Sequence, residues 1–153
     1  MAFRLLSLCV LFLVPCVMQA QREKLPPEDL AWVEETFPDA KKSNTGIRYL
    51  VLDPGHGEFA KRGDMVSVVY VGRLKNGDTF DQNLDKEKPL RFRLGRSKVI
   101  QGWDQIIQLM NPGAKWLVIV PPELAYGTRG NPPKIPPDAT LVFTMHLLTV
   151  EKD

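Results

Sequence analysis

One hundred and fifty-three residues suffice for one globular domain with an appendage and leave too little chain for two. A composition of 44% hydrophobic and 25% charged residues excludes wholesale disorder, and a formal net charge of +2 gives no electrostatic argument for nucleic acid or an anionic membrane as the partner. The excess is in turn formers: 13 prolines and 11 glycines set more chain reversals than a helix bundle needs and suit a β-rich fold.

Residues 1–20 read as a secretory signal peptide. Arg4 supplies the positive n-region, Leu5 to Met18 is apolar apart from Ser7, and Gln19-Ala20-Gln21 offers a small-residue exit. The apolar run is shorter than the roughly 20 residues of a membrane span, so a membrane is expected only if the leader is retained. Both cysteines, Cys9 and Cys16, fall in this leader. The exported chain would therefore carry no disulfide and depend on its core alone. No Asn-x-Ser/Thr acceptor occurs, which favours a periplasmic or extracellular destination over the lumen of the endoplasmic reticulum.

Residues 21–44 form an N-terminal extension. Pro26-Pro27-Glu28-Asp29 followed by Leu30, Val33 and Phe37 predicts a short helix ended by Pro38, packed on the edge of the domain. From Thr45 to Asp153 the pattern is that of strands. Ile47–Leu52 closes on the turn cluster Asp53-Pro54-Gly55-His56-Gly57. Met65–Leu74 is a long strand, and Asn76-Gly77 signals a hairpin. Leu90–Leu94 alternates apolar residues with arginine. Between Val99 and Met110 the period changes: Val99, Ile100, Trp103, Ile106, Ile107 and Met110 make one apolar stripe, a helix of about three turns. Trp116–Val120 and Leu141–Val150 are further strands, separated by a loop containing six prolines. The fold class is α+β, an antiparallel sheet of five to six strands wrapped around one short helix.

Most catalytic constellations are absent. The two histidines, His56 in a turn and His146 toward the outer end of the last strand, have no cysteine or acid cluster beside them, so neither a metal nor a cofactor is expected. There is no Gly-x-Ser-x-Gly elbow, P-loop or dinucleotide loop. What remains is a set of aromatic residues beside turns: Tyr70, Phe80, Phe92, Trp103, Tyr126 and Phe143. Aromatics in a small domain are usually core. Phe80, just past a turn, and Tyr126, in a Gly/Pro-rich loop, fit a cavity better.

Five strings carry more information together. Val69-Tyr70-Val71-Gly72, Gly77-Asp78-Thr79-Phe80-Asp81, Val99-Ile100-Gln101-Gly102-Trp103, Leu124-Ala125-Tyr126-Gly127 and Ile135 through Phe143 occur in order. The chain resembles the FKBP-type peptidyl-prolyl cis-trans isomerases over residues 45–151. The resemblance implies a half-barrel around one helix and a proline-binding pocket lined by Tyr70, Phe80, Asp81, Phe92, Val99, Ile100, Trp103, Tyr126, Ile135 and Phe143. Trp103 would be its floor. Tyr70, Phe80 and Phe143 would be its walls, the Ile100 amide and the Tyr126 hydroxyl its donors, and Asp81 the group beside the twisting amide. Proline-containing peptides, unfolded exported proteins and rapamycin-class macrolides are the implied ligands. Three positions depart from the family pattern: Leu90 in place of an aromatic wall, Lys98 in place of an acid, and Lys134 in place of an aliphatic rim residue. A non-catalytic binder or chaperone using the same groove is the alternative. A small-ligand carrier would need a wider barrel.

Overall fold

The computed structural model describes residues 22–153; the leader reading lies outside the described residues. Helix α1 (Pro27–Thr36) begins with Pro27 in its first turn and Glu28 and Asp29 beside the positive helix end, as anticipated. Seven strands follow: β1 (Lys41–Lys42), β2 (Arg48–Asp53), β3 (Met65–Leu74), β4 (Thr79–Asn83), β5 (Leu90–Arg93), β6 (Lys115–Val120) and β7 (Leu141–Glu151). Helix α2 (Gln101–Ile106) lies between β5 and β6. All strand pairings are antiparallel, in the order β1-β2-β6-β7-β3-β4. Strand β3 serves two partners on its free edge, β5 along Met65–Val68 and β4 along Tyr70–Arg73.

The structure adds two strands to the five named from the sequence: the two-residue β1, which has no apolar pattern to reveal it, and β4, the hairpin partner of β3. The α2 helix is also shorter than the apolar stripe suggests. It starts at Gln101 rather than Val99, and Ile107–Leu109 tightens into a 3₁₀ turn before Asn111-Pro112-Gly113 reverses the chain. The stripe survives because 3₁₀ spacing keeps positions three apart on one side. Ile106, Ile107 and Met110 are all fully buried.

The sheet has two unequal faces. Its inner face packs Val66, Val68, Val118, Phe143 and Met145 against α2 in the main core. Part of its outer face, Leu117, Ile119 and Val142, is covered by Leu25, Leu30 and Val33 from the N-terminal extension. Asp29 of α1 is buried, and its carboxylate accepts from the Thr140 hydroxyl at 2.6 Å and from the Lys75 ammonium at 2.5 Å. That partnering is what makes a buried charge tolerable.

Glu23 anchors the extension at its other end. Its carboxylate accepts from the Lys24 and Leu25 amides, both at 3.0 Å, and from Lys42 at 3.0 Å and Arg48 at 2.9 Å. Burial opposes its ionisation, but the Leu25 amide and Lys42, with Arg48 and the Lys24 amide, outweigh it and hold the carboxyl at about 2, from an ordinary 4.5. A carboxyl whose folded pKa is depressed stabilises the fold above its unfolded pKa and ceases to do so as pH falls through its folded pKa. Glu23→Gln should therefore cost about 1 kcal/mol at neutral pH, the value of a charge-assisted network discounted for partial exposure. In denaturant titrations the gap between parent and variant should narrow from pH 4.5 downward and close near pH 2. A gap independent of pH would assign the effect to shape rather than charge.

Candidate active site

The inner face opens on a cavity of about 170 Å³. The sheet contributes Tyr70 from β3, Phe80 and Asp81 from β4, Leu90 from β5 and Phe143 from β7. The approach to α2 contributes Lys98, Val99 and Ile100; α2 itself contributes Trp103, and the loop after β6 contributes Tyr126. Volumes of about 300–1,000 Å³ are usual for drug-sized ligands. A space this small accepts one ring-sized group.

Trp103 is the centre of the aromatic packing. Its ring meets Tyr70 edge-on at 4.8 Å and Phe143 at 5.2 Å, while Phe80 meets Phe143 at 5.6 Å, again near perpendicular. Edge-to-face contacts of this kind fix ring orientations as well as burying area. Two glycines permit the arrangement. A Cβ on Gly72 would lie 2.6 Å from the Phe80 ring and 2.9 Å from that of Phe143. A Cβ on Gly102 would lie 2.5 Å from Val120, so α2 reaches β6 only because position 102 has no side chain. Phe80 is also aimed by a β-bulge: Arg73 pairs with Thr79 and Gly72 with Asp81, leaving Phe80 as the extra residue of β4.

The polar groups are few. The Tyr70 hydroxyl donates to Asp81 Oδ2 at 2.6 Å. Burial, then the hydrogen bond and charge of Asp81, push the Tyr70 hydroxyl well above the ordinary tyrosine value, so it remains a donor. The Asp104 carboxylate accepts from the Gly95 amide at 2.7 Å and the Ser97 amide at 3.0 Å, fastening the segment that delivers Val99 and Ile100. No metal-binding cluster occurs among the described residues.

Eight of the ten residues proposed for the site line the cavity; Phe92 and Ile135 do not. Phe92 shares its face of β5 with Leu90, which does line the cavity, but stands further along the strand, buried against Trp103 with ring centroids 6.2 Å apart. Ile135 is buried and held by paired backbone bonds to Asn131, at 2.8 and 3.0 Å. Leu90 and Lys98, noted in the sequence only as departures from a pattern, are in the lining. His146 lies at the middle of β7 rather than toward its end, and neither histidine lines the cavity.

Comparison with known proteins places the chain in a family. Residues 56–148 match the family model described as FKBP-type peptidyl-prolyl cis-trans isomerase. This chain belongs to that family. It is 40% identical over 107 residues to peptidyl-prolyl cis-trans isomerase Fkbp12 of Drosophila melanogaster, an alignment covering 69% of this chain and 99% of the relative. It is 46% identical over 113 residues to the 39 kDa FK506-binding nuclear protein of the same organism, covering 73% of this chain but only 31% of that longer protein. Among solved structures, a peptidyl-prolyl isomerase from Pseudomonas syringae pv. tomato superposes with a TM-score of 0.72 at 37% identity, covering 82% of this chain and 90% of the other. The protein is thus an FKBP-type peptidyl-prolyl isomerase with an antiparallel sheet wrapped around a short helix.

Two substitutions test the aromatic box. Trp103→Ala should destabilise by about 3–5 kcal/mol and abolish turnover, since it removes the ring on which the others pack. Gly72→Ala should cost less stability, about 1–3 kcal/mol of overpacking, while lowering kcat/KM by spreading Phe80 and Phe143. Denaturant unfolding alongside a peptide isomerisation assay separates the two, and a fully active Gly72→Ala would show that the walls have slack.

Proposed function

We propose that this FKBP-type isomerase is exported and accelerates X-Pro isomerisation in unfolded exported proteins. The observation that carries the catalytic part is a small aromatic cavity lined by one carboxylate and one lysine, with no serine, threonine, cysteine or histidine. Rotation about an X-Pro bond faces a barrier of about 18–20 kcal/mol because the planar amide is resonance-stabilised. The planar form is also the more polar one, and water favours it. Seating the proline ring among Tyr70, Phe80, Trp103 and Phe143 removes that water and favours the less polar, twisted amide.

In this reading Trp103 is the floor, and Ile100 through its backbone N–H and Tyr126 through its hydroxyl donate to the substrate's carbonyls. Neither group donates to another among the described residues, which leaves both available. Asp81 lies beside the twisting bond, its orientation set by the hydroxyl of Tyr70. Val99 borders the ring. Phe92 and Ile135 support the site from the core rather than contact the substrate. Macrolides of the rapamycin class would place one ring in the same cavity and lie largely outside it; the relatives' FK506-binding names support this. Export rests on the charged, apolar and small-residue sequence of residues 1–20.

A protease-coupled assay on a short Xaa-Pro peptide tests catalysis, and sequencing the N-terminus of the protein from its host tests export. Binding without acceleration would leave a non-catalytic proline binder. Asp81→Ala should lower kcat/KM about 10-fold or more while leaving the melting temperature within a few degrees, because among the described residues its carboxylate makes one hydrogen bond, an exposed one with Tyr70. Activity should be flat between about pH 6 and pH 8, since no proton transfer is required and no histidine borders the cavity. An inflection near pH 6.5 that vanished in His146→Gln would overturn this mechanism.

A further inference from the structure

The outer face of the sheet is only half covered. Where α1 ends, the strip formed by β3 and the middle of β7 continues as a groove of about 370 Å³. Val69 and Val71 lie in it, 5% and 9% exposed, yet they pack into neither of the two cores. Their phase on β3 is opposite to that of Val68, so they face away from α2. Around them stand Arg73, Lys86, Lys115 and His146.

Three permanent cations and a histidine on a buried valine strip are an unusual combination, and the local acids do not neutralise it. Among the described residues Arg73, Lys86 and Lys115 form no ion pair. Asp53, the acid that acts on His146, accepts from the Gly55 amide at 3.0 Å. Asp85 accepts from the Glu87 and Lys88 amides of its own turn, at 2.9 and 3.3 Å. Burial, then the charges of Lys86 and Lys115, hold His146 below its ordinary value, with Asp53 and the Gly113 backbone opposing them. Lys86 and Lys115 are therefore close enough to His146 to disfavour its charged form.

We propose that this groove binds an acidic peptide segment that also carries aliphatic side chains, at a site separate from the isomerase cavity. Carboxylates on such a segment would meet Arg73, Lys86 and Lys115, and an aliphatic side chain would pack on Leu84, which is 61% exposed at the groove's border while Val69 and Val71 beneath it are already buried. A nucleic acid matches the charge but offers no aliphatic group to Leu84. The complementarity therefore favours a protein partner, with charge setting the encounter and the Leu84 contact adding to it.

The probe is a fluorescein-labelled, proline-free peptide of glutamate and leucine, followed by anisotropy with the full chain. Saturable binding is expected, weakening several-fold between about 50 and about 200 mM salt as the charges are screened. The double variant Lys86→Glu/Lys115→Glu should lose about 10-fold or more in affinity, yet isomerise a short uncharged prolyl peptide at the parental rate. Replacing the peptide's leucines with serine should also weaken binding. No binding, binding unaffected by the double variant, or equal binding of the serine peptide and a single-stranded oligonucleotide would overturn the proposal. The last result would describe a general polyanion surface. Because the probe has no proline and turnover is measured separately, failure here is distinct from failure of the isomerase reading.

Discussion

The approach of α2 to β6 at Gly102 sets the depth of the whole inner face. One carbon there would stand 2.5 Å from Val120, and the helix would have to lift. Trp103 follows directly in sequence and would lift with it, opening its edge-on contacts to Tyr70 and Phe143. Both of those rings are held by the sheet, Tyr70 on β3 and Phe143 on β7, and the two strands pair along their full length from Met65 to Leu74. The cavity is thus the residual space between a rigid sheet and a helix pressed as near to it as hydrogen allows. Its small volume follows from that approach more than from the size of any lining residue.

Apolar and polar parts of the site come from different kinds of structure. Most of the aromatic walls stand on strands, where cross-strand pairing fixes direction. The donors assigned to the substrate stand on connections: Ile100 just before α2 and Tyr126 in the loop after β6. Connections need separate fastening, and the chain supplies it. Asp104 binds two amides of the Gly95–Ser97 turn, in which Ser97 has a left-handed φ of 55°. Glu123, close to Tyr126 in sequence, is paired with Arg22 at 3.1 Å and with Lys24 at 3.0 Å.

Much of this was legible in the sequence, and the exceptions share one cause. Strand β3 was legible because both of its phases are apolar, and the Asn76-Gly77 turn announced its hairpin. Strand β4 was not: Thr79-Phe80-Asp81-Gln82-Asn83 has one apolar residue and becomes a strand because β3 needs a partner on that edge. The Tyr70–Asp81 hydrogen bond follows from the register, in which Gly72 faces Asp81 and Tyr70 lies diagonally from it. No residue pattern encodes that register, and the bulge at Phe80 shifts it by one. Gly72 and Gly102 did carry a signal, since glycine inside a strand or helix marks a close approach. The signal shows that something comes near; the fold is needed to show that it is Phe80 in one case and Val120 in the other.

The Tyr70–Asp81 pair also explains how a carboxylate can border an aromatic box. Asp81 is exposed and keeps contact with solvent, while the hydrogen bond of 2.6 Å from the Tyr70 hydroxyl fixes where its carboxylate stands. The same bond occupies the tyrosine hydroxyl, which would otherwise be a mobile donor inside the cavity. In the proposed reading the substrate meets the face of the Tyr70 ring and an Asp81 carboxylate held in place by the Tyr70 hydroxyl, with Lys98 the other charged group of the lining. The proposed mechanism, which turns on the reduced polarity of a twisted amide, requires walls that do not reorganise as it twists. Tying the one hydroxyl of the β3 wall to the one carboxylate of the lining meets that requirement with two residues.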